Sequence, residues 1–69
     1  MAEPAAFVED FLAQVWTEIA NVRRVAAEWN LARAALRRSD EHLSRGSGDP
    51  LLKGRMRSVT ASLSGTGYG

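Results

Sequence analysis

From Pro4 to Arg45 the chain contains no glycine and no second proline, and it is rich in alanine, leucine, arginine and glutamate. A stretch of strong helix formers without a breaker predicts one long helix, from about residue 4 to residue 45. Pro4 suits the first turn, Glu9 and Asp10 the early turns, and Arg37, Arg38 and Arg45 the last turns. Gly46 then stands as a C-terminal stop. No Ser/Thr-x-x-Glu/Gln capping box interrupts the run. If it breaks, Asn30 and the Ser39-Asp40 pair are the candidate places, because short polar side chains compete for backbone hydrogen bonds.

Spacing sharpens this expectation. Val8, Val15, Val22, Trp29, Leu36 and Leu43 recur every seven residues, and Leu12, Ile19 and Ala26 follow the first three by four. Written with the first series at d and the second at a, this is a heptad seam whose d positions stay apolar throughout. The a series turns polar at Arg33 and Asp40. Phe11, Val25 and Ala32 at g and Trp16 at e widen the apolar stripe on both sides, while Leu31 at f points away and hints at a second surface.

Gly46 to Asp49 reads as a glycine-serine hinge, and Asp49-Pro50 is a good N-cap and first-turn pair for a second, shorter helix over about 50–64. Leu52, Met56, Val59 and Leu63 fall on one face of it, and Gly54 weakens it by about 1 kcal/mol relative to alanine. Residues 65–69 form a tail with Tyr68 as its one anchor. The expected fold class is therefore all-α: a single module of long amphipathic helix, hinge and short helix, arranged as a helical hairpin or an extended coiled-coil-like rod.

That geometry calls for company. A helix of about 40 residues is about 60 Å long, whereas a compact globule of this chain length is about 30 Å across. The short helix covers little more than a third of such a rod, and each large apolar side chain left wet forgoes about 1.5 to 3 kcal/mol. One register is specific: two copies antiparallel, with position numbers summing to about 46 to 48, set Glu9 against Arg37, Leu12 against Leu36 and Ile19 against Trp29. Arg23 against its own copy and Asp40 near Val8 are defects of that register, so a different partner chain or a larger bundle fits nearly as well.

Composition limits the chemistry. With no cysteine and one histidine, thiolate metal sites, disulfides and the common histidine ligand sets are not available, and no cofactor is expected. His42 beside Asp40 and Glu41 does not form a cluster, because neighbours on a helix point about 100° apart; a solvated residue near a helix end is expected. A serine nucleophile would need a base and an orienting group that this sequence does not supply. Nor is there a phosphate-binding glycine loop, so neither an enzyme nor a small-molecule substrate is expected. No apolar run spans the roughly 18 residues of a membrane helix, and a cytoplasmic location is expected.

Residues 1 to 22 carry four acids and no base, against nine bases and four acids in residues 23 to 69. Acids near a helix start and bases near its end complement the helix dipole. Arg37, Arg38, Lys53, Arg55 and Arg57 are nonetheless candidate contacts for an anionic partner, nucleic acid or a membrane surface. With Arg23, Arg24 and Arg33, the first two are spread round the helix rather than aligned, and no stacking aromatics are interleaved with them. The expected function is protein-protein interaction: a structural or accessory subunit that oligomerises or docks on a larger assembly. Val8, Leu12, Val15, Trp16, Ile19, Val22, Trp29 and Leu36 would make the contact, and Leu52, Met56, Val59 and Leu63 a second one. The alternatives are a nucleic-acid-binding helical protein and a leader with a C-terminal peptide that is captured or modified.

Overall fold

The computed structural model describes residues 3–64; the tail and Tyr68 lie outside them. Three helices and no strand are found among the described residues: α1 (Glu3–Val25), α2 (Trp29–Arg45) and α3 (Pro50–Ser64). The long helix expected over residues 4–45 is thus two helices, broken at Ala26 to Glu28 rather than at Asn30 or Ser39-Asp40.

The break has defined backbone chemistry. Ala27 stands in the left-handed region with φ 63°. Its N–H donates to the carbonyl of Arg24 at 3.0 Å, and the N–H of Glu28 donates to the carbonyl of Arg23 at 2.8 Å. That pair of bonds, six-to-one and five-to-two, is the Schellman termination, which normally takes glycine at the left-handed position. Alanine pays roughly 1–2 kcal/mol there, so local preference opposes the turn and tertiary contact must outweigh it. Glu28 then starts α2 with its carbonyl accepting from the N–H of Ala32, but with no capping side-chain bond. An exposed Arg23–Glu28 ion pair at 2.9 Å closes the loop and, being wet, adds little.

What outweighs the strain is the contact between α1 and α2, which run antiparallel. Ala13, Thr17 and Ala20 of α1 and Ala32, Ala35 and Ser39 of α2 are all buried. Because these side chains are small, the backbones come close enough for the Ser39 hydroxyl to donate to the Ala13 carbonyl on the facing helix, at 2.9 Å. Thr17 Oγ1 also lies 2.9 Å from that carbonyl and 2.6 Å from Ser39 Oγ. Two hydroxyl protons serve three short contacts, so two of the three are hydrogen bonds in any one arrangement. No buried side-chain polar atom among the described residues lacks a partner.

α3 caps one side of this hairpin. Val59 packs with Ala20 and Ala35, and Trp16, Ile19 and Leu36 lie against the same cluster. Leu63 is buried as well. Asp49 Oδ1 accepts from the N–H of Leu51 at 2.9 Å and sets the start of the helix behind Pro50. The connection over 46–49 is tied down rather than loose. Asp10 of α1 accepts hydrogen bonds from both the backbone N–H and the hydroxyl of Ser47, and a side chain at Gly46 would run into the Asp10 carboxylate. Gly48, at φ 75°, supplies the left-handed residue of the turn. The resulting body measures 44 × 18 × 14 Å, shorter than the expected rod and still elongated.

Three substitutions test this backbone account by their effect on stability. Ala27→Gly relieves the left-handed alanine and raises the denaturant midpoint, by up to about 1 kcal/mol; inside a continuous helix the same change would lower stability by about 1 kcal/mol, so its sign reports the break. Gly46→Ala, by displacing Asp10, lowers stability by about 1–3 kcal/mol. Gly54→Ala, with open space at its Cβ, raises it by up to about 1 kcal/mol.

Candidate protein-docking face

A helix has one circumference, and the hairpin claims the small-residue side of α1. The large apolar residues are left on the side turned away. Phe7 is 76%, Val8 51%, Phe11 59%, Val15 37%, Val22 65% and Val25 71% exposed. Val8, Phe11, Val15, Glu18, Val22 and Val25 alternate in steps of three and four, so they form a single stripe along α1.

Of the residues expected to carry the contact, the structure brings Val8, Val15 and Val22 onto this stripe. Leu12, Trp16 and Ile19 are half-buried on its flank, and Trp16 and Ile19 serve the internal cluster. The Arg38 guanidinium lies 5.2 Å from the centre of the Trp16 ring, over its face. Trp29 and Leu36 are half-buried on α2, away from the stripe. The continuous eight-residue seam does not exist, because the chain turns between Val22 and Trp29. The partner series of the stripe is Phe11, Glu18 and Val25 rather than Leu12, Ile19 and Ala26. Phe7 was not singled out by the heptad pattern; its signal was the four-residue step to Phe11.

The second expected contact, Leu52, Met56, Val59 and Leu63, faces inward. Val59 and Leu63 are buried and Leu52 and Met56 half-buried in the chain itself, so this face of α3 is used within one copy. Met56 and Leu63 also border an open cleft between α2 and α3 with Arg33, Leu36 and Arg37.

The candidate anion contacts are dispersed among separate tasks. Arg55 binds Glu18 through two bonds, 2.9 and 3.0 Å, and Arg38 covers Trp16. Lys53 and Arg57 border a different depression, near Asp40 and the Gly46–Gly48 loop, and Arg37 is exposed on α2.

His42 is not a solvated residue near a helix end. Its Nδ1 lies 2.6 Å from Glu9 Oε1, and Arg45 approaches the other Glu9 oxygen at 3.4 Å. These contacts join the C-terminal turns of α2 to the first half of α1. The hydrogen bond from His42 holds the Glu9 carboxyl below its ordinary pKa of 4.5, with Arg45 acting in the same direction against partial desolvation. The Arg55 hydrogen bonds lower that of Glu18 likewise. Among the described residues no group of three or more His, Cys, Asp or Glu side chains could hold a metal ion, and no helix is long and apolar enough to cross a membrane.

Comparison with protein-family models, curated proteins and solved structures finds no match to this chain.

The two lowered carboxyl groups give a pH dependence of defined sign. A carboxylate with a depressed folded pKa contributes stability that is present above its unfolded value and is lost as pH falls through the folded one. Thermal midpoints should therefore fall as the solution is acidified below about 4.5. The Glu9→Gln, Glu18→Gln double variant should show a shallower acid limb, and an unchanged slope would remove these pairs from the account.

Proposed function

We propose that this chain is a helical docking module: it works by protein-protein contact, and the outward stripe of α1 is the surface it offers. One observation carries the reading. Six large apolar side chains stay exposed on one helix after both other helices have packed. Scattered apolar residues on a surface need no explanation, but a contiguous stripe of this kind marks an interaction site. The internal core is made largely of alanine, with Leu43, Val59 and Leu63 as its larger members. Much of the chain's apolar surface is thus held back from its own fold. A structural or accessory subunit of a larger assembly, in the cell interior, fits that division best.

Replacing Phe11 and Val22 by aspartate tests the reading. Both are exposed, so circular dichroism should show unchanged helicity. The wild-type chain in its native extract should sediment at twice its own mass or more, and the double variant at its own mass. A wild-type chain that sediments alone in that extract overturns the proposal.

A further inference from the structure

We infer that the α1 stripe takes a second copy of this chain, laid antiparallel across it about a two-fold axis; this deepens the docking reading and rests on it. Val8, Val15 and Val22 form one series of the stripe, and Phe11, Glu18 and Val25 the other. An antiparallel pair with position numbers summing to 33 sets every member of one series against a member of the other. Val8 meets Val25 of the second copy, Phe11 meets Val22, and Val15 meets Glu18. The three layers repeat in reverse beyond the axis, as a two-fold interface requires.

Volume favours this orientation. The large rings lie at the N-terminal end of the stripe, with Phe7 and Phe11, and the smaller valines at the C-terminal end, with Val22 and Val25. Antiparallel packing puts Phe against Val at both ends. Parallel packing would crowd Phe11 on Phe11 and leave valine on valine slack. Charge favours it as well. Glu9 and Glu18 are paired within each copy, and α1 ends in Arg23 and Arg24, so what an antiparallel neighbour gains is the opposed helix dipoles and the separation of like ends.

The one polar member of the stripe is provided for. Glu18 lies a layer from the axis, and each copy carries its own Arg55 on that carboxylate through two hydrogen bonds. Two carboxylates near the axis therefore arrive already neutralised. A parallel pair would place Glu18 directly against Glu18.

Area is sufficient. With roughly 200 Å² for an exposed phenylalanine, the six side chains offer on the order of 600 Å² per copy, reaching the roughly 1,200 Å² total at which specific interfaces begin. A lipid surface fits less well, since the charged residues on and beside the first turns of the stripe are acidic, like an anionic headgroup layer.

The described residues contain no cysteine, nor does the rest of the sequence, so introduced thiols report geometry without background. Purified wild-type chain at micromolar concentration should sediment at twice its own mass, and Phe11→Asp at its own mass with unchanged helicity. An equimolar mixture of Val8→Cys and Val25→Cys chains, mildly oxidised, should form the mixed covalent dimer far faster than either variant links to itself. Ala34→Cys, on the exposed side of α2, sets the rate of random collision. Self-linking of Val8→Cys alone means a parallel pair and overturns the proposal. A monomeric pure chain that is found in a larger native complex also overturns it, while leaving the docking reading standing with a different protein as occupant. A monomer that is alone in the extract and binds anionic vesicles overturns both.

Discussion

Everything in this structure depends on how closely α1 and α2 approach. The Ser39 hydroxyl reaches a main-chain carbonyl of the facing helix, which is feasible only because Ala13, Ala20, Ala32 and Ala35 keep the contact surface shallow. Dispersion between closely packed backbones, together with satisfied hydroxyls, takes the place of a bulky core. The strained alanine in the loop is the cost of that approach. A continuous helix would spare the left-handed Ala27 but would leave both small-residue faces in water, and it would part Ser39 from Thr17 and from the Ala13 carbonyl.

The same contact decides where the large side chains go. Ala13, Thr17 and Ala20 lie nearly opposite Val8, Phe11, Val15 and Val22 around the helix circumference, so turning the first set inward turns the second outward. α3 does not reverse this. It settles on a side of the hairpin where Val59 meets Ala20 and Ala35, and it is held there at its start by Asp10 through the Ser47 loop and further along by Glu18 through Arg55. Glu9, Asp10 and Glu18 thus act less as complements of the dipole of α1 than as ties to the rest of the chain: Glu9 to His42 and Arg45, Asp10 to Ser47, Glu18 to Arg55.

Helical character was legible because composition and the absence of breakers act locally. The start of α3 was legible at Asp49-Pro50 for the same reason, since cap chemistry needs only adjacent residues. The break at Ala26 to Glu28 was not, because alanine is the strongest helix former and nothing in Ala26-Ala27-Glu28 disfavours a helix on its own. Its cause lies some twenty residues apart in sequence, in the match of Thr17 to Ser39. The heptad pattern was real, yet it described the outside of α1 rather than its seam, because large apolar residues were weighed above alanine. The antiparallel register expected from the sequence, with position sums of about 46 to 48, pairs two copies of the chain. Within one chain α1 instead meets α2, through Thr17 with Ser39 and Glu9 with His42, in a register roughly one to three turns away.

The two sides of α1 therefore differ in what they can pack against. A loop of three residues costs little closure entropy compared with bringing two separate chains together, so α2 wins the face of α1 that admits close approach. What remains for any other partner is the face that α2 does not need, and it is the bulkier one. An interface made of phenylalanine and valine tolerates wider helix spacing than the alanine contact, and it loses more by staying wet. The inner face of α1 therefore selects the chain's own second helix by proximity, and the outer face gains most from a surface as apolar and as evenly stepped as itself.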